Sequence, residues 1–235
     1  MSEMQRVALW NTTAGKPCGE GLNNKDLLMA QVGYIAEEVT GTNELYPSYR
    51  RGLEHDLLDG CGDVLVTAAG LLHLVGYDNF RVLPPTGHVE ESLDELVDTL
   101  YLPSVDIAQD VKGYFEHGTE VRIDPVQYAN MAIQVVCDIL YVKGYDPEKV
   151  LKVVNNSNFT KFCTSALEAK ASVHAYTKKS RYRNVKSKRV GKYWVIYGDD
   201  VLHGIKGKTL KGIHFGEPCF LSMIEQVNPD KLEVK

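Results

Sequence analysis

The stretch from Tyr34 to Tyr77 places carboxylates where a buried helix ordinarily places leucines. Asp56, Asp59 and Asp63 fall at spacings of three and four. On a helix of about 3.6 residues per turn, that spacing puts all three on one stripe. Leu57, Leu58, Val64, Leu65 and Val66 surround them, so much of the same helix must be buried. A buried carboxylate is costly unless it is paired, protonated or bound to a cation. Glu37 and Glu38, at the end of the preceding apolar helix, bring the acids to a number that calls for a cation. Gly60 and Gly62 weaken the helix beside them, which points to a close approach by another helix or a ligand.

Each acid alone has an ordinary explanation. Asp56 can be a helix N-cap, and Glu54 and Asp56 can be first-turn acids answering the helix dipole. Asp59 and Asp63 can face solvent or meet Arg50 and Arg51. The set together resists this, because Asp63 runs directly into VLVTAAGLLHLV.

The chain of 235 residues suits one large domain or two small ones. A formal charge of −5 argues against a generic nucleic-acid binder. The charge is unevenly spread, however, with eight basic residues and no acid between Lys178 and Lys192. Five scattered cysteines, without a CxxC pair, suit reduced thiols. The opening MSEMQRVALW has no apolar signal core, and the longest apolar run, around residues 64–76, is too short to span a bilayer. These features lead to the expectation of a cytoplasmic protein (host cytoplasm, if phage-encoded) with no membrane partner.

Residues 4–10 suit a short helix or a strand, and TTAGKPCGEGLNN a loop. Asn23 or Asn24 can cap a helix over about Lys25–Thr40, ended by Gly41. The acid-bearing helix spans about Leu53–Val75, with Gly76 as its C-cap. Within 78–124, HVEESLDELVDTLYL reads as a solvated amphipathic helix and VDIAQDVKGYFEHG as a short continuation. A long helix starts at Pro125, and another after Asp146 as cap with Pro147 in its first turn. LHLVGYDNFRVL (72–83) echoes LYVKGYDPEKVL (140–151); either two helices share one cap chemistry or an old duplication is present. KYWVIYGDDVLHGIKGKTLKGIHF reads as a β-hairpin with a strand over Tyr193–Tyr197 and a Gly-Asp-Asp turn. The C-terminus reads as a polar tail.

Three of these pieces together resemble the all-alpha nucleoside triphosphate pyrophosphohydrolases, the MazG-like superfamily that includes dimeric dUTPases and dCTPases, and most of all its phage-type members. VALWNTTAGKP followed by a helix ending IAEEV resembles the family's opening and its EExxE element. DLLDGCGDVLV resembles the ExxD element, with Asp56 and Asp59 at the E and D positions and Asp63 one turn on. DPEKVLKVVNNSNFTKF resembles the closing helix, which ends in a Ser-Asn-x-[Ser/Thr]-Lys motif. The resemblance covers about residues 5–78 and 126–163. The pattern departs at Gly41, where the family has an acid, and at Asp56, where it has Glu.

The resemblance implies a mainly α fold, a MazG-like antiparallel helical bundle over residues 1–175, with 79–124 as an inserted helical segment. Residues 176–235 would follow as a basic segment, a small β-hairpin and a tail. It implies Mg²⁺-dependent hydrolysis of a (deoxy)nucleoside triphosphate to the monophosphate and pyrophosphate, with Mn²⁺ as a substitute, by a homodimer. Glu37, Glu38, Asp56, Asp59 and Asp63 would hold metal, and Glu37 or Glu38 would act as general base. Asn158 and Lys161 would bind the substrate. Glu44 is the nearest replacement for the acid missing at Gly41; Glu90, Glu91, Asp94 and Glu95 are the others. A competing expectation is a catalytically inactive helical module that binds nucleic acid or a protein partner through residues 178–192, or a scaffold whose acids only bind divalent ions.

Overall fold

The computed structural model describes residues 1–77, 81–82, 84–85, 92–202 and 205–227. Helix α1 (Glu3–Thr13) opens on a capping box, in which Ser2 and Gln5 bond each other's backbone amides. A short 3-10 turn at Glu20–Asn23 leads to α2 (Lys25–Thr40), whose N-cap is Asn24. Then come α3 (Leu45–Arg51), α4 (Glu54–Leu74), α5 (Leu93–His117), α6 (Pro125–Val142) and α7 (Pro147–Phe159). Asp124 and Asp146 cap the last two, each followed by a proline whose missing N–H costs nothing at a helix start.

Helix α4 is the axis of the molecule: α1, α2, α3, α6, α7 and a C-terminal helix, α9 (Leu221–Val227), all pack against it. Leu58, Cys61, Val64, Leu65, Ala68, Ala69 and Leu71 are fully buried along it. Each fully buried leucine contributes on the order of 1.5–3 kcal/mol. Small residues let the neighbours approach. A Cβ on Gly60 would stand 2.7 Å from the Leu45 amide nitrogen, and one on Gly62 would stand 2.3 Å from Val154 Cγ2. The close approach expected at these two glycines is therefore made by α3 and α7. By length and composition α4 could also cross a membrane, but most of it is buried inside the protein.

The segment expected as a solvated helix with a short continuation is one 25-residue helix, α5, running through Pro103. It buries Leu96, Val97, Leu100, Ile107 and Val111 and packs on α2 and α6, so it belongs to the core. Apolar residues at helical spacing on both sides of the proline hold the helix together.

The two copies of the internal echo adopt the same helix end. Tyr77 N–H donates to Leu72 O and Tyr145 N–H to Leu140 O, with Gly76 and Gly144 at φ +94° and +82°. Shared Schellman-type capping accounts for the common Leu, Gly and Tyr; residues 78–80 and 83 of the first copy lie outside the described residues.

After α7 come α8 (Ala166–Thr177) and a three-stranded antiparallel sheet, β1 (Tyr182–Val190), β2 (Tyr193–Asp200) and β3 (Ile205–Leu210), in the order β1-β2-β3. The expected hairpin thus gains a strand from the basic segment. Gly191 and Lys192 form a two-residue turn, with Gly191 at φ +57° as such turns require. The Gly-Asp-Asp triplet is not a turn. It continues β2, because buried Asp200 is held by Arg181 at 2.7 Å and Lys208 at 3.2 Å. Those cations keep its carboxyl well below the usual range.

The expected boundary at 175/176 falls inside α8, which packs on β1 and β2 around Cys163, Ala169, Ile196 and Leu210. The other face of β2 is tied to the helices through Val195, Ala14 and Phe162. Nor is the C-terminal stretch a tail as far as Val227. Phe220 and Ile224 enter the main core, and α9 spans Leu221–Val227.

Candidate functional site

Glu37 and Glu38 stand in the last turn of α2, and Asp59 and Asp63 one turn apart on α4. Gly41 ends α2 in an extended conformation, so the helix does not carry on to Glu44. Glu44 is instead the residue before α3, and Gly60 lets the start of that helix lie directly on α4. Its side chain then folds back over the end of α2. A Cβ on Gly41 would be 2.7 Å from Glu44 Cγ. The glycine that stands where the resembled family has an acid thereby clears the path for a different one.

The carboxyls of Glu38 and Glu44 are hydrogen-bonded to each other. Two carboxyl groups can do this only if one carries a proton. Burial, together with the charges of Asp63, Glu44 and Glu37, pushes Glu38 up to about 9. Burial and Asp63 push Glu44 up as well. Asp59 is raised to about 7 by burial and then by Asp63. Asp63 is raised by burial, while the nearby Lys161 and Lys211 pull the other way. Four carboxyls from α2, α3 and α4 thus crowd one another.

The opposite wall is cationic. Lys161, just beyond α7, donates from Nζ to Asn158 Oδ1. Its ammonium lies 5.7 Å from the ring centres of both Trp10 and Phe215. Burial lowers its pKa, and Asp63 partly restores it. Trp10 is itself fixed, donating from Nε1 to the Asn158 carbonyl at 2.9 Å and stacking on Phe162. The notch at Gly62 brings α7 against α4, which sets this lysine opposite the acid stripe.

Asp56 belongs to the stripe but not to its crowded part. Its side chain is 49 % exposed and lies 3.5 Å from His55 Nδ1. It is not the N-cap either, since Leu53 holds that position. Glu37 is exposed, at the solvent edge of the cluster. Arg50 pairs with Asp94, and Arg51 bonds the Pro47 carbonyl, so neither neutralises Asp59 or Asp63. Among the other proposed substitutes for an acid at Gly41, Asp94 and Glu95 do not join. Asp94 is bound by Tyr49 and Glu95 by Ser92, and Glu90 and Glu91 lie outside the described residues.

Four contributors escape a sequence reading: Trp10, Lys211, Phe215 and Glu217. The last three come from a segment about 140 residues after the end of α4, with no motif to mark it. Glu217 raises both Asp59 and Asp63 by its charge and is held by Lys211 at 3.0 Å.

The donor chemistry suits Mg²⁺, which takes oxygen ligands. Among the described residues, however, no three Asp, Glu, His or Cys side chains already stand where they could hold one ion. Mg²⁺ is usually held by one or two carboxylates, with waters and substrate phosphates filling the rest of its octahedron. The carboxylate oxygens of the cluster fit a site of that kind.

The chain matches no protein-family model, no curated protein and no solved structure. The site geometry and the motifs therefore carry the functional reading.

Proposed function

We propose that this chain is a Mg²⁺-dependent nucleoside triphosphate pyrophosphohydrolase, releasing a nucleoside monophosphate and pyrophosphate in control of the nucleotide pool. One observation carries the reading: a crowded cluster of half-buried carboxyls faces a lysine seated between two aromatic rings. A cation-bound polyphosphate presents positive charge to the first wall and negative charge to the second. When bound, Mg²⁺ supplies Lewis-acid neutralisation of the triphosphate charge.

The chain's own residues do the rest. Glu38 and Glu44 hold a proton between them and release it as positive charge enters the site. Glu37, at the solvent edge, or Glu38 takes the proton of the attacking water. Lys161 binds phosphoryl oxygens, with Asn158 fixing its rotamer and Trp10 and Phe215 excluding water around it. The homodimer implied by the resemblance stays part of the proposal.

The competing nucleic-acid reading draws on the exposed Arg183, Lys186, Lys188 and Arg189 of β1. Its aromatic partners are already engaged, Tyr176 edge-on against Tyr182 and Tyr193 against Phe159 and Phe162. A panel of nucleoside and deoxynucleoside triphosphates, assayed for pyrophosphate with Mg²⁺, tests the proposal. No release from any member, alongside salt-sensitive retention on DNA or RNA, would favour the alternative.

A further inference from the structure

The segment Lys211–Glu217 is fastened across the end of α7. Gly212 N–H donates to the Lys161 carbonyl at 2.9 Å, and Gly216 N–H to Thr160 Oγ1 at 2.9 Å. Ser157 Oγ donates to the Gly216 carbonyl at 2.7 Å. A Cβ at Gly212 would lie 3.1 Å from that same Lys161 carbonyl and 3.0 Å from Cys163 Sγ, so glycine gives this approach its room. A few residues on, Phe220 is buried and meets His55 of α4 edge-on at 5.4 Å. The Ser-Asn-Phe-Thr-Lys motif is thereby divided. Ser157 and Thr160 hold the C-terminal segment, while Asn158 and Lys161 serve the site.

This fastening sets the Phe215 ring between two ammonium groups, Lys161 at 5.7 Å and Lys211 at 3.9 Å from its centre. Lys211 Nζ is also 3.0 Å from Glu217 Oε1, in a pair whose side chains are 50 % and 71 % exposed. Such an exposed pair contributes little and is readily exchanged. The charge of Glu217 also acts on Asp59 and Asp63, raising both.

We infer that Lys211 is a second phosphate-binding residue, and that Glu217 occupies it in the free protein as a stand-in for the incoming polyphosphate. The inference rests on the reading of the site as one for a triphosphate. On binding, a phosphoryl oxygen replaces the Glu217 carboxylate at Lys211, while Lys161 holds another oxygen across the Phe215 ring. Two lysines on one ring suit an extended polyphosphate better than a single phosphate.

The two members of the pair must then act with opposite sign, which separates binding from mere bracing. Inorganic tripolyphosphate, titrated calorimetrically in the presence of Mg²⁺ into the full chain, should bind about tenfold more weakly to Lys211→Met. It should bind more tightly to Glu217→Gln, and Lys211→Arg should retain most of the affinity. With a hydrolysed nucleotide, Lys211→Met should raise KM more than it lowers kcat. A loss in both Lys211→Met and Glu217→Gln, or a change below twofold in each, overturns the inference. If the wild type hydrolyses a triphosphate while tripolyphosphate binding ignores Lys211, the inference falls and the proposed function stands. If no triphosphate is hydrolysed but the opposite signs appear, the anion site stands and the proposed function falls.

Discussion

Glu44 shares a hydrogen bond with Glu38 across the gap left by Gly41. The two acids come from the start of one helix and the end of another, and only the absence of a Cβ at residue 41 lets them meet. Burial and this crowding raise the Glu38 carboxyl of the chain to about 9. Glu38→Gln should remove most of its affinity for Mn²⁺ in a calorimetric titration, and Glu44→Gln should weaken it less. The reverse order would make Glu44 the principal ligand.

The same crowding predicts how stability responds to pH. Glu38 rises from 4.5 to about 9 and Asp59 from 3.8 to about 7. The folded chain thus binds protons that the unfolded chain releases. Stability from this source is complete below about pH 4 and is lost as pH climbs through about 7 and then about 9. The metal-free melting temperature should fall between pH 5.5 and pH 9, and Glu38→Gln should flatten the fall. Equal slopes in the two proteins would mean that the Glu38 carboxyl is not held as described.

Gly60→Ala and Gly62→Ala separate packing from helix propensity. Alanine favours a helix by up to about 1 kcal/mol over glycine. At Gly60 the new methyl meets the Leu45 backbone, which cannot step aside, and at Gly62 it meets Val154. Each substitution should cost about 1–3 kcal/mol net in urea unfolding. Gly60→Ala should also weaken metal binding by displacing Glu44. A stabilised Gly60→Ala protein would refute the close approach of α3 to α4.

A buried ion pair holds the base of α4 to α6: Lys143 Nζ lies 2.9 Å from Glu54 Oε2, with side chains only 13 % and 7 % exposed. Lys143→Met should destabilise the chain by about 3 kcal/mol, because it strands a buried carboxylate. The double variant Lys143→Met with Glu54→Gln should recover part of that loss. Additive losses would show that the pair is not coupled.

The helices were legible wherever local chemistry announced them. Asn24, Asp124 and Asp146 mark three starts, Gly76 and Gly144 two ends, and apolar spacing fills the spans between. The reading of α5 as a solvated helix with a short continuation gave way, because a buried stripe on both sides of Pro103 outweighs one lost backbone bond. Gly198-Asp199-Asp200 misled in the opposite direction. Turn propensity gave way to a buried carboxylate whose cations, Arg181 and Lys208, lie 19 and 8 residues away. The α4 acid stripe could be read from spacing alone, and Glu44 from the missing acid at Gly41. Lys211, Phe215 and Glu217 could not, since only tertiary packing of Gly212, Gly216 and Phe220 brings them to α7 and α4.

Pyrophosphate release in Mg²⁺, compared between the wild type and Asp59→Asn or Asp63→Asn, tests the assignment most directly. At least one triphosphate should yield pyrophosphate and the monophosphate in equal amounts. Each variant should be slower by about 100-fold or more, with helicity unchanged by circular dichroism. No triphosphate hydrolysed by the wild type, or unchanged turnover in both variants, would contradict it.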